Sequence, residues 1–306
     1  MAIDQALSVA EQSPRKRSAR TSNGSLVLLA APAVVWYIAF TIGPLVAMFV
    51  ISTFDWRSII SRPVPMGLEN FGRIFADPVF AQATVNSLIQ LAVILPIMIP
   101  LAFMIGYYIS LSPRGHGVIK TALFTPALIS LAAKSMIFLA VFSPNGLFNG
   151  TLKIIGLGEF VTAWLASPQT AYATVIFVEL WAGIGFTAVL FSARLGGVPR
   201  EVLEAATIDG AGHWTKMWAV AYPIVKDYFG ILTMLQFTWI LFSSAGTILL
   251  LTQGGPGYAS TNLSFLIYDK AFVQSQIGYS QAVGVVIFVV GVLGILVIRR
   301  VFRPAV

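Results

Sequence analysis

The sequence contains no cysteine and few charged residues, and these two shortages exclude whole classes of protein. Without cysteine there is no disulfide framework, no thiolate metal site and no cysteine nucleophile. Charged residues make up 10% of the 306 residues, against about 25% in a typical soluble domain. Hydrophobic residues make up 57% and form long continuous runs. We therefore predict an all-α integral membrane protein, because helices satisfy their own backbone hydrogen bonds in lipid.

Common catalytic and nucleotide-binding motifs are also missing. The sequence has no G-x-x-x-x-G-K-[ST], no H-E-x-x-H and no G-x-S-x-G pattern. Its two histidines, His116 and His213, fall in predicted loops or short amphipathic pieces. The net charge of +7 is concentrated at the ends of apolar runs, which argues against nucleic acid as a partner. The sequence therefore predicts no enzyme, no metal site and no cofactor, and any ATP hydrolysis would need a separate subunit.

Six apolar runs are long enough to cross a bilayer, which takes about 20 residues in a helix. They cover residues 26–52, 84–111, 118–142, 171–195, 228–252 and 281–302. The basic stretch before them, residues 1–25, is interpreted as a disordered cytoplasmic tail. It is not interpreted as part of a signal peptide, because the run that follows is too long for a signal core.

The distribution of Lys and Arg predicts the orientation in the membrane. With both termini in the cytoplasm, thirteen of the nineteen basic residues lie inside and five lie outside, while Lys134 falls within a span. Cytoplasmic loops carry the excess of basic residues in membrane proteins. The count therefore favours cytoplasmic termini and a multi-pass protein of the cell membrane.

One polar stretch stands between the fourth and fifth spans, "EVLEAATIDGAGHWTKMWAVAYPIV" at 201–225. Pro199 suits the first position of a helix, and Asp209-Gly210 suits its end. A second helix follows, with Trp214, Met217, Trp218 and Ala221 at offsets that place them on one face, and Pro223 closes it. The pattern fits either a cytoplasmic docking element or an interfacial helix pair that merely caps the spans.

The segment E-A-A-x-x-D-G-A at 204–211, with Pro223 downstream, resembles the "EAA" loop of binding-protein-dependent ABC importer permeases. The resemblance implies a type I importer permease fold of six transmembrane helices with a cytoplasmic coupling helix that docks on an ATPase subunit. It also implies the coupling residues, which are Glu204, Ala205, Ala206, Asp209, Gly210, Ala211 and Pro223. Two positions depart from the family pattern, since Tyr222 replaces a usual Leu and Asp227 a common Pro.

A second stretch, "LTQGGPGYAST" at 251–261, resembles a signature of carbohydrate importers of the maltose and glycerol-phosphate type, in their first permease subunit. The resemblance implies a region near the outer mouth where the binding protein docks. Its residues are Gly254, Gly255, Pro256 and Thr261. From the residues alone, the same stretch is a sharp stop of the fifth span. Weaker matches extend the resemblance over about 26–302, with a transport domain at 82–303 and an added first helix and outer loop at 26–81.

A few polar residues inside the spans are candidates for the substrate pathway. Lys134 is costly in mid-bilayer, and Glu179 is its only acidic counterpart within the spans. The two side chains either pair with each other or face the translocation cavity. In the fifth span, Gln236, Trp239 and Ser243 are spaced to share one helix face, where they would meet a sugar or bond to a neighbouring helix.

The sequence therefore predicts a permease subunit of an ATP-driven importer for a carbohydrate. Its partners would be a second homologous permease subunit, two ABC ATPase subunits, an extracytoplasmic solute-binding protein and the carbohydrate itself. The alternative is a secondary transporter driven by an ion gradient. Such transporters often carry inverted repeats and several intramembrane acids, and neither is evident here.

Overall fold

The structure is a computed structural model that describes residues 23–302. The predicted tail at 1–25 therefore lies outside the described residues up to residue 22. The described part of the next helix runs from Asn23, which is before the predicted start of the first span at residue 26. Two units are described separately, with the boundary between Ala47 and Met48.

The first apolar run forms one helical stretch with a single irregularity. Helix α1 (Asn23–Tyr37) passes through a π-helical turn at Ile38–Ile42 into α2 (Gly43–Ile51). The part Leu28–Ile51 is long and apolar enough to cross a membrane. This agrees with the predicted span at 26–52.

Residues 52–77 form a short hairpin and a helix before the second span. Strands β1 (Phe54–Asp55) and β2 (Val64–Pro65) pair antiparallel, and α3 (Glu69–Ala76) follows. The buried Asn70 amide donates to the carbonyl oxygens of Ser52 and Phe54, both at 2.9 Å. The Asn70 side chain therefore holds α3 against the residues that follow α2 and begin the hairpin.

Three further helices are long enough and apolar enough to cross a membrane as single helices. They are α4 (Pro78–Ser110), α8 (Ala171–Leu195) and α14 (Ile277–Val301). Helix α4 begins with Asp77 as its N-cap and Pro78 at its first position, an arrangement that satisfies a free N–H without losing a helical bond.

The predicted third span is not one helix, and the single run at 118–142 was wrong in this respect. It consists of α5 (His116–Leu128) and α6 (Leu131–Val141), which meet at 97°. Ile129 is extended and the Ser130 hydroxyl caps α6 through the Ala133 N–H. Hydropathy could not reveal the break, because every residue around it except Ser130 is apolar.

The remaining elements complete the bundle. Helix α7 (Leu147–Ile154) and a 3-10 turn at Gly158–Phe160 connect α6 to α8. Helices α9 (Arg200–Ile208) and α10 (His213–Ile224) precede α11 (Lys226–Ser243), and α10 and α11 meet at 79°. The predicted fifth span at 228–252 is divided at Ser244 between α11 and α12 (Ala245–Leu251). Helix α13 (Leu263–Tyr268) and a π-helical turn at Asp269–Val273 lead to α14.

The buried side chains of the second unit form three clusters. One joins α4, α8, α10 and α11 around Phe103, and a second joins α4, α6 and α8 around Val175. A third joins α3, α4, α11, α13 and α14 around Leu266. Helices α4 and α11 contribute side chains to all three clusters and α8 contributes to two, so these helices form the frame that holds the functional segments.

Candidate functional site

The 200–225 segment, residues 200–225, begins with a short helix whose end is sharply defined. Gly210 has φ +79° and the N–H groups of Gly210 and Ala211 bond back to Thr207 and Ala206 at 3.0 and 2.9 Å. These two bonds are the Schellman arrangement that ends a helix with glycine in the left-handed region. The sequence prediction for the helix end is confirmed, and the helix begins at Arg200, one residue later than predicted.

The residues predicted to couple to an ATPase lie on an open surface of this segment. No residue of α9 is buried, and Ile208 is 87% exposed. Among the predicted residues, Ala206 and Ala211 are half-buried and the others are exposed, namely Glu204, Ala205, Asp209, Gly210 and Pro223. Ile208 is an exposed apolar side chain close to Ala205 and Ala206, so α9 has an apolar contact surface that the described residues do not cover.

Helix α10 anchors the segment to the spans. Its residues Lys216–Ala221 form a π-helical turn, which shifts the side chains relative to an α-helix. Met217 and Ala221 are buried, whereas Trp214 is 63% exposed. Trp214 nevertheless shares a face with Trp218, since their ring centres lie 6.1 Å apart. The Lys216 ammonium donates to the Thr207 hydroxyl at 3.0 Å and so ties α10 to α9.

The 252–262 loop, residues 252–262, follows α12 and folds back on itself. Gly254 has φ +78°, and a Cβ there would clash with the Phe265 ring and the Thr261 hydroxyl. That hydroxyl donates to the Gly254 carbonyl at 3.0 Å. Two of the four predicted signature residues, Gly254 and Thr261, are thus in direct contact, while Gly255 and Pro256 form the turn between them.

A buried amide network that was not predicted from the sequence joins this loop to α4 and α8. The Asn86 amide donates to the carbonyls of Ala259 and Thr261 at 3.0 and 2.7 Å. The Asn262 amide donates to the side-chain oxygen Oε1 of Gln90 at 2.8 Å, and the Tyr172 hydroxyl donates to the backbone carbonyl of Asn86 at 2.6 Å. Amides at 86 and 90 are one helical turn apart, which was the only available sequence signal for a shared face.

Glu179 lies at the end of this network and forms no direct ion pair with Lys134 among the described residues. Its carboxylate accepts a short hydrogen bond from the Gln90 amide, and its other oxygen, Oε1, has no hydrogen-bond partner within the described chain. Lys134 is half-exposed on α6, and over residues 23–302 no Lys134–Glu179 ion pair within 4.0 Å is present. The direct pair considered from the sequence is not formed.

The three candidates on α11 do not share one environment. Gln236 is buried and its amide donates to the Thr187 hydroxyl on α8 at 2.9 Å. Trp239 is 59% exposed and Ser243 is also exposed. Gln236 therefore binds a neighbouring helix, which was one of the alternatives, whereas Trp239 and Ser243 face away from the core.

A second polar cluster lies just before α4. The Asp77 carboxylate accepts a hydrogen bond from the Tyr279 hydroxyl at 2.7 Å and lies 3.3 Å from the Lys270 ammonium. Lys270 is 7% exposed and stands 4.8 Å from the centre of the Tyr279 ring. Burial alone would raise the pKa of the Asp77 carboxyl, but the bonds from Tyr279 and Val79 and the charge of Lys270 outweigh it and lower the pKa below 3.8.

The fold and these segments define a multi-pass helical membrane protein, and comparison with known proteins gives its family. The chain is 30% identical over 266 residues to the probable ABC transporter permease protein YurN of Bacillus subtilis, covering 86% of this chain and 90% of that protein. It is 31% identical to the lactose transport system permease protein LacF of Rhizobium radiobacter, covering 88% and 91%. The diacetylchitobiose uptake system permease protein NgcF of Streptomyces coelicolor is 30% identical, with 86% and 77% covered. The protein belongs to the ABC transporter permease family.

Solved structures show the same fold at lower identity. A bacterial ABC transporter involved in the import of the acidic polysaccharide alginate is 20% identical, with a TM-score of 0.79 and coverage of 92% of this chain and 96% of that chain. The bacterial alginate ABC transporter in complex with alginate pentasaccharide-bound periplasmic protein is 21% identical, with a TM-score of 0.80 and coverage of 93% and 97%. No protein-family model matches the sequence.

Proposed function

We propose that the protein is a permease subunit of an ATP-driven importer and forms part of the translocation pathway for a carbohydrate. Relatives at about 30% identity are named as permeases for lactose and for diacetylchitobiose uptake. A secondary transporter, the alternative from the sequence, has no support among these relatives. Selection among sugars is assigned to a separate solute-binding protein, and ATP hydrolysis to two separate ATPase subunits.

The observation that carries the proposal is the exposed helix α9 with its glycine end. It presents Glu204, Ala205 and Ala206 on a helix without buried residues, and the Gly210 turn fixes where that surface stops. An ATPase subunit can approach closely because alanine has almost no side chain. Ile208, 87% exposed, supplies the apolar contact that a protein partner would bury.

The orientation follows from the same assignment. A segment that docks on an ATPase is cytoplasmic, and the excess of Lys and Arg favours the same side. The termini are then cytoplasmic as well, and the 252–262 loop lies on the outer face. We assign residues 82–303 to the transport domain and residues 26–81 to an added first helix and outer loop. A second homologous permease subunit would complete the pathway.

Lys134, Glu179, Trp239 and Ser243 remain our candidates for the pathway. Glu179 has one buried carboxylate oxygen without a hydrogen-bond partner among the described residues, and Trp239 has a largely exposed ring that suits the apolar face of a sugar. Gln236 acts by holding α11 to α8 through Thr187, so its part in transport would be indirect.

The experiment substitutes Gly210. An added Cβ would meet no atom within 4 Å, so any effect of Gly210→Val arises from the backbone, where φ +79° is costly for a β-branched residue by about 1–2 kcal/mol. We expect the valine variant to stay in the membrane but to lose about tenfold in ATPase co-purification and in uptake. The matched control is Gly210→Asn, which tolerates the left-handed region and should remain close to wild type.

Uptake is measured with the sugar that most stabilises the cognate binding protein in a thermal-shift panel of disaccharides and short oligosaccharides. Normal ATPase binding and uptake in Gly210→Val would contradict the docking role of the 200–225 segment. If the tagged wild-type protein never retains an ATPase subunit, and uptake survives ATP depletion, the permease assignment itself is rejected.

A further inference from the structure

The 200–225 segment is joined to the spans through aromatic rings. On α10, the rings of Trp218 and Tyr222 lie with their centres 5.2 and 6.3 Å from the ring of Phe103 on α4. Met217 and Ala221 are buried beside them, so α10 is held along one side. A displacement of α9 reaches α10 through the Lys216–Thr207 hydrogen bond and the compact turn at Gly210.

Phe103 contacts two further spans with the same ring. Its centre lies 5.5 Å from that of Phe191 on α8 and 4.7 Å from that of Phe229 on α11, with the ring planes at 72° and 61°. The side chain is fully buried. Rings in edge-to-face contact at these distances have a defined geometry, unlike aliphatic chains that change rotamer. One residue therefore contacts the 200–225 segment and two spans besides its own.

The backbones of α4 and α8 are in close contact next to Phe103. Gly106 lies about one turn further along α4, and a Cβ there would stand 2.7 Å from the Ala188 carbonyl oxygen and 2.7 Å from the Phe191 Cβ. Helices α4 and α8 are therefore in backbone contact at the level of the ring. A push on Phe103 moves the two helices as one body, because close-packed groups transmit displacement and do not absorb it.

We propose that Phe103 is the positioning residue through which movement of the 200–225 segment is transmitted to α4, α8 and α11. This rests on the proposed docking of an ATPase at α9. The ring contacts neither the ATPase nor the substrate. Its role is to determine how much α4, α8 and α11 move when the docked helix α9 moves. A leucine at position 103 would leave a cavity and lose the edge-to-face contacts, so α10 could shift without carrying α4.

The other account of Phe103 is that it merely fills the core, and a matched control separates the two. Phe138 on α6 is 7% exposed, and its ring centre lies 5.1 Å from that of Trp181 and 6.4 Å from that of Phe177. It belongs to the cluster around Val175, away from the 200–225 segment. Phe138→Leu therefore removes a similar buried ring without touching α10.

The experiment compares wild type, Phe103→Leu and Phe138→Leu in the full complex with ATPase and binding protein in proteoliposomes. Three quantities are measured: ATPase co-purification, ATP hydrolysis without and with sugar-loaded binding protein, and sugar taken up per ATP. We expect Phe103→Leu to keep co-purification and basal hydrolysis within about twofold of wild type. Stimulation by binding protein and uptake per ATP should fall about tenfold. Phe138→Leu should lower thermal stability while keeping both ratios.

The proposal is overturned if stimulation by binding protein and uptake per ATP are the same in Phe103→Leu and Phe138→Leu. The permease assignment is independent of that result and stands as long as the wild-type complex transports sugar. If Phe103→Leu does not assemble, Trp218→Leu removes the other ring of the same contact. Trp218 is only half-buried, so this variant disturbs the core less. We expect it to show the same fall in stimulation by binding protein and in uptake per ATP. Failure of both variants to assemble would also count against the proposal, since the ring would then be structural.

Discussion

Asp77 connects three parts of the chain that are distant in sequence. One carboxylate oxygen accepts the Val79 N–H at 2.8 Å and so caps α4, while the other receives the Tyr279 hydroxyl and faces the Lys270 ammonium. The residue therefore joins the start of α4 to the turn before α14 and to α14 itself. Lys270 is buried, so the loss of its partner would leave an uncompensated charge.

The lowered pKa of Asp77 gives a prediction for stability against pH. A carboxyl whose folded pKa lies below its unfolded value of 3.8 stabilises the fold above that pH, and this contribution is lost as the pH falls through the lower folded pKa. Asp77→Asn keeps an N-cap but leaves Lys270 unpaired, at a cost of about 3 kcal/mol. We expect Asp77→Asn to have a clearly lower thermal midpoint than wild type at pH 7. This difference in midpoint should become smaller below pH 3.8.

The control for this prediction adds Lys270→Met to the Asp77→Asn variant. Replacing both members of a buried pair is often neutral, so the double variant should recover much of the lost midpoint. A gap between wild type and Asp77→Asn that does not change with pH would show that the carboxylate charge is not what stabilises this cluster.

At the scale of elements, two glycines on α8 face different neighbours, and one of them lies against the bent third span. A Cβ at Gly185 would overlap the Leu123 carbonyl of α5, which is backbone. A Cβ at Gly183 would meet only the flexible end of the Met98 side chain. The first contact is fixed by the path of two helices, whereas the second can be relieved by a rotamer change.

The two sites give a matched pair of substitutions on one helix. We expect Gly185→Ala to displace α5, with a large drop in the yield of monodisperse protein and in thermal midpoint, because a backbone clash cannot relax locally. Gly183→Ala should remain within a few degrees of wild type. Size-exclusion profiles and thermal melts in detergent provide the measurement, and equal behaviour of the two variants would contradict the close approach of α5 and α8.

At the scale of the whole molecule, the absence of cysteine makes the orientation directly testable. Ile208 in the 200–225 segment and Ile60 in the hairpin before the second span are 87% and 96% exposed. We expect an impermeant maleimide to label Ile60→Cys in intact cells and to label Ile208→Cys only after permeabilisation. Wild type, without a thiol, is the blank. The reverse pattern would invert the proposed topology and remove α9 from the cytoplasm.

The fold class and the location of the 200–225 segment were predictable from the sequence. Apolar runs of about 20 residues have few alternatives to membrane helices, and a helix that ends at Asp209-Gly210 is a local event that neighbouring residues determine. Both features are local, because each depends on residues that are consecutive in the sequence.

Tertiary structure alone decided the contacts that join these elements. The exposure of Trp214, the absence of a direct Lys134–Glu179 ion pair among the described residues and the Asn86–Gln90–Asn262 network depend on residues far apart in the chain. Periodicity reports which side chains share a face of one helix, but not which neighbour that face meets. Phe103 is one more apolar residue in an apolar run, and only the packing of α4, α8, α10 and α11 surrounds it with four aromatic rings from the other helices.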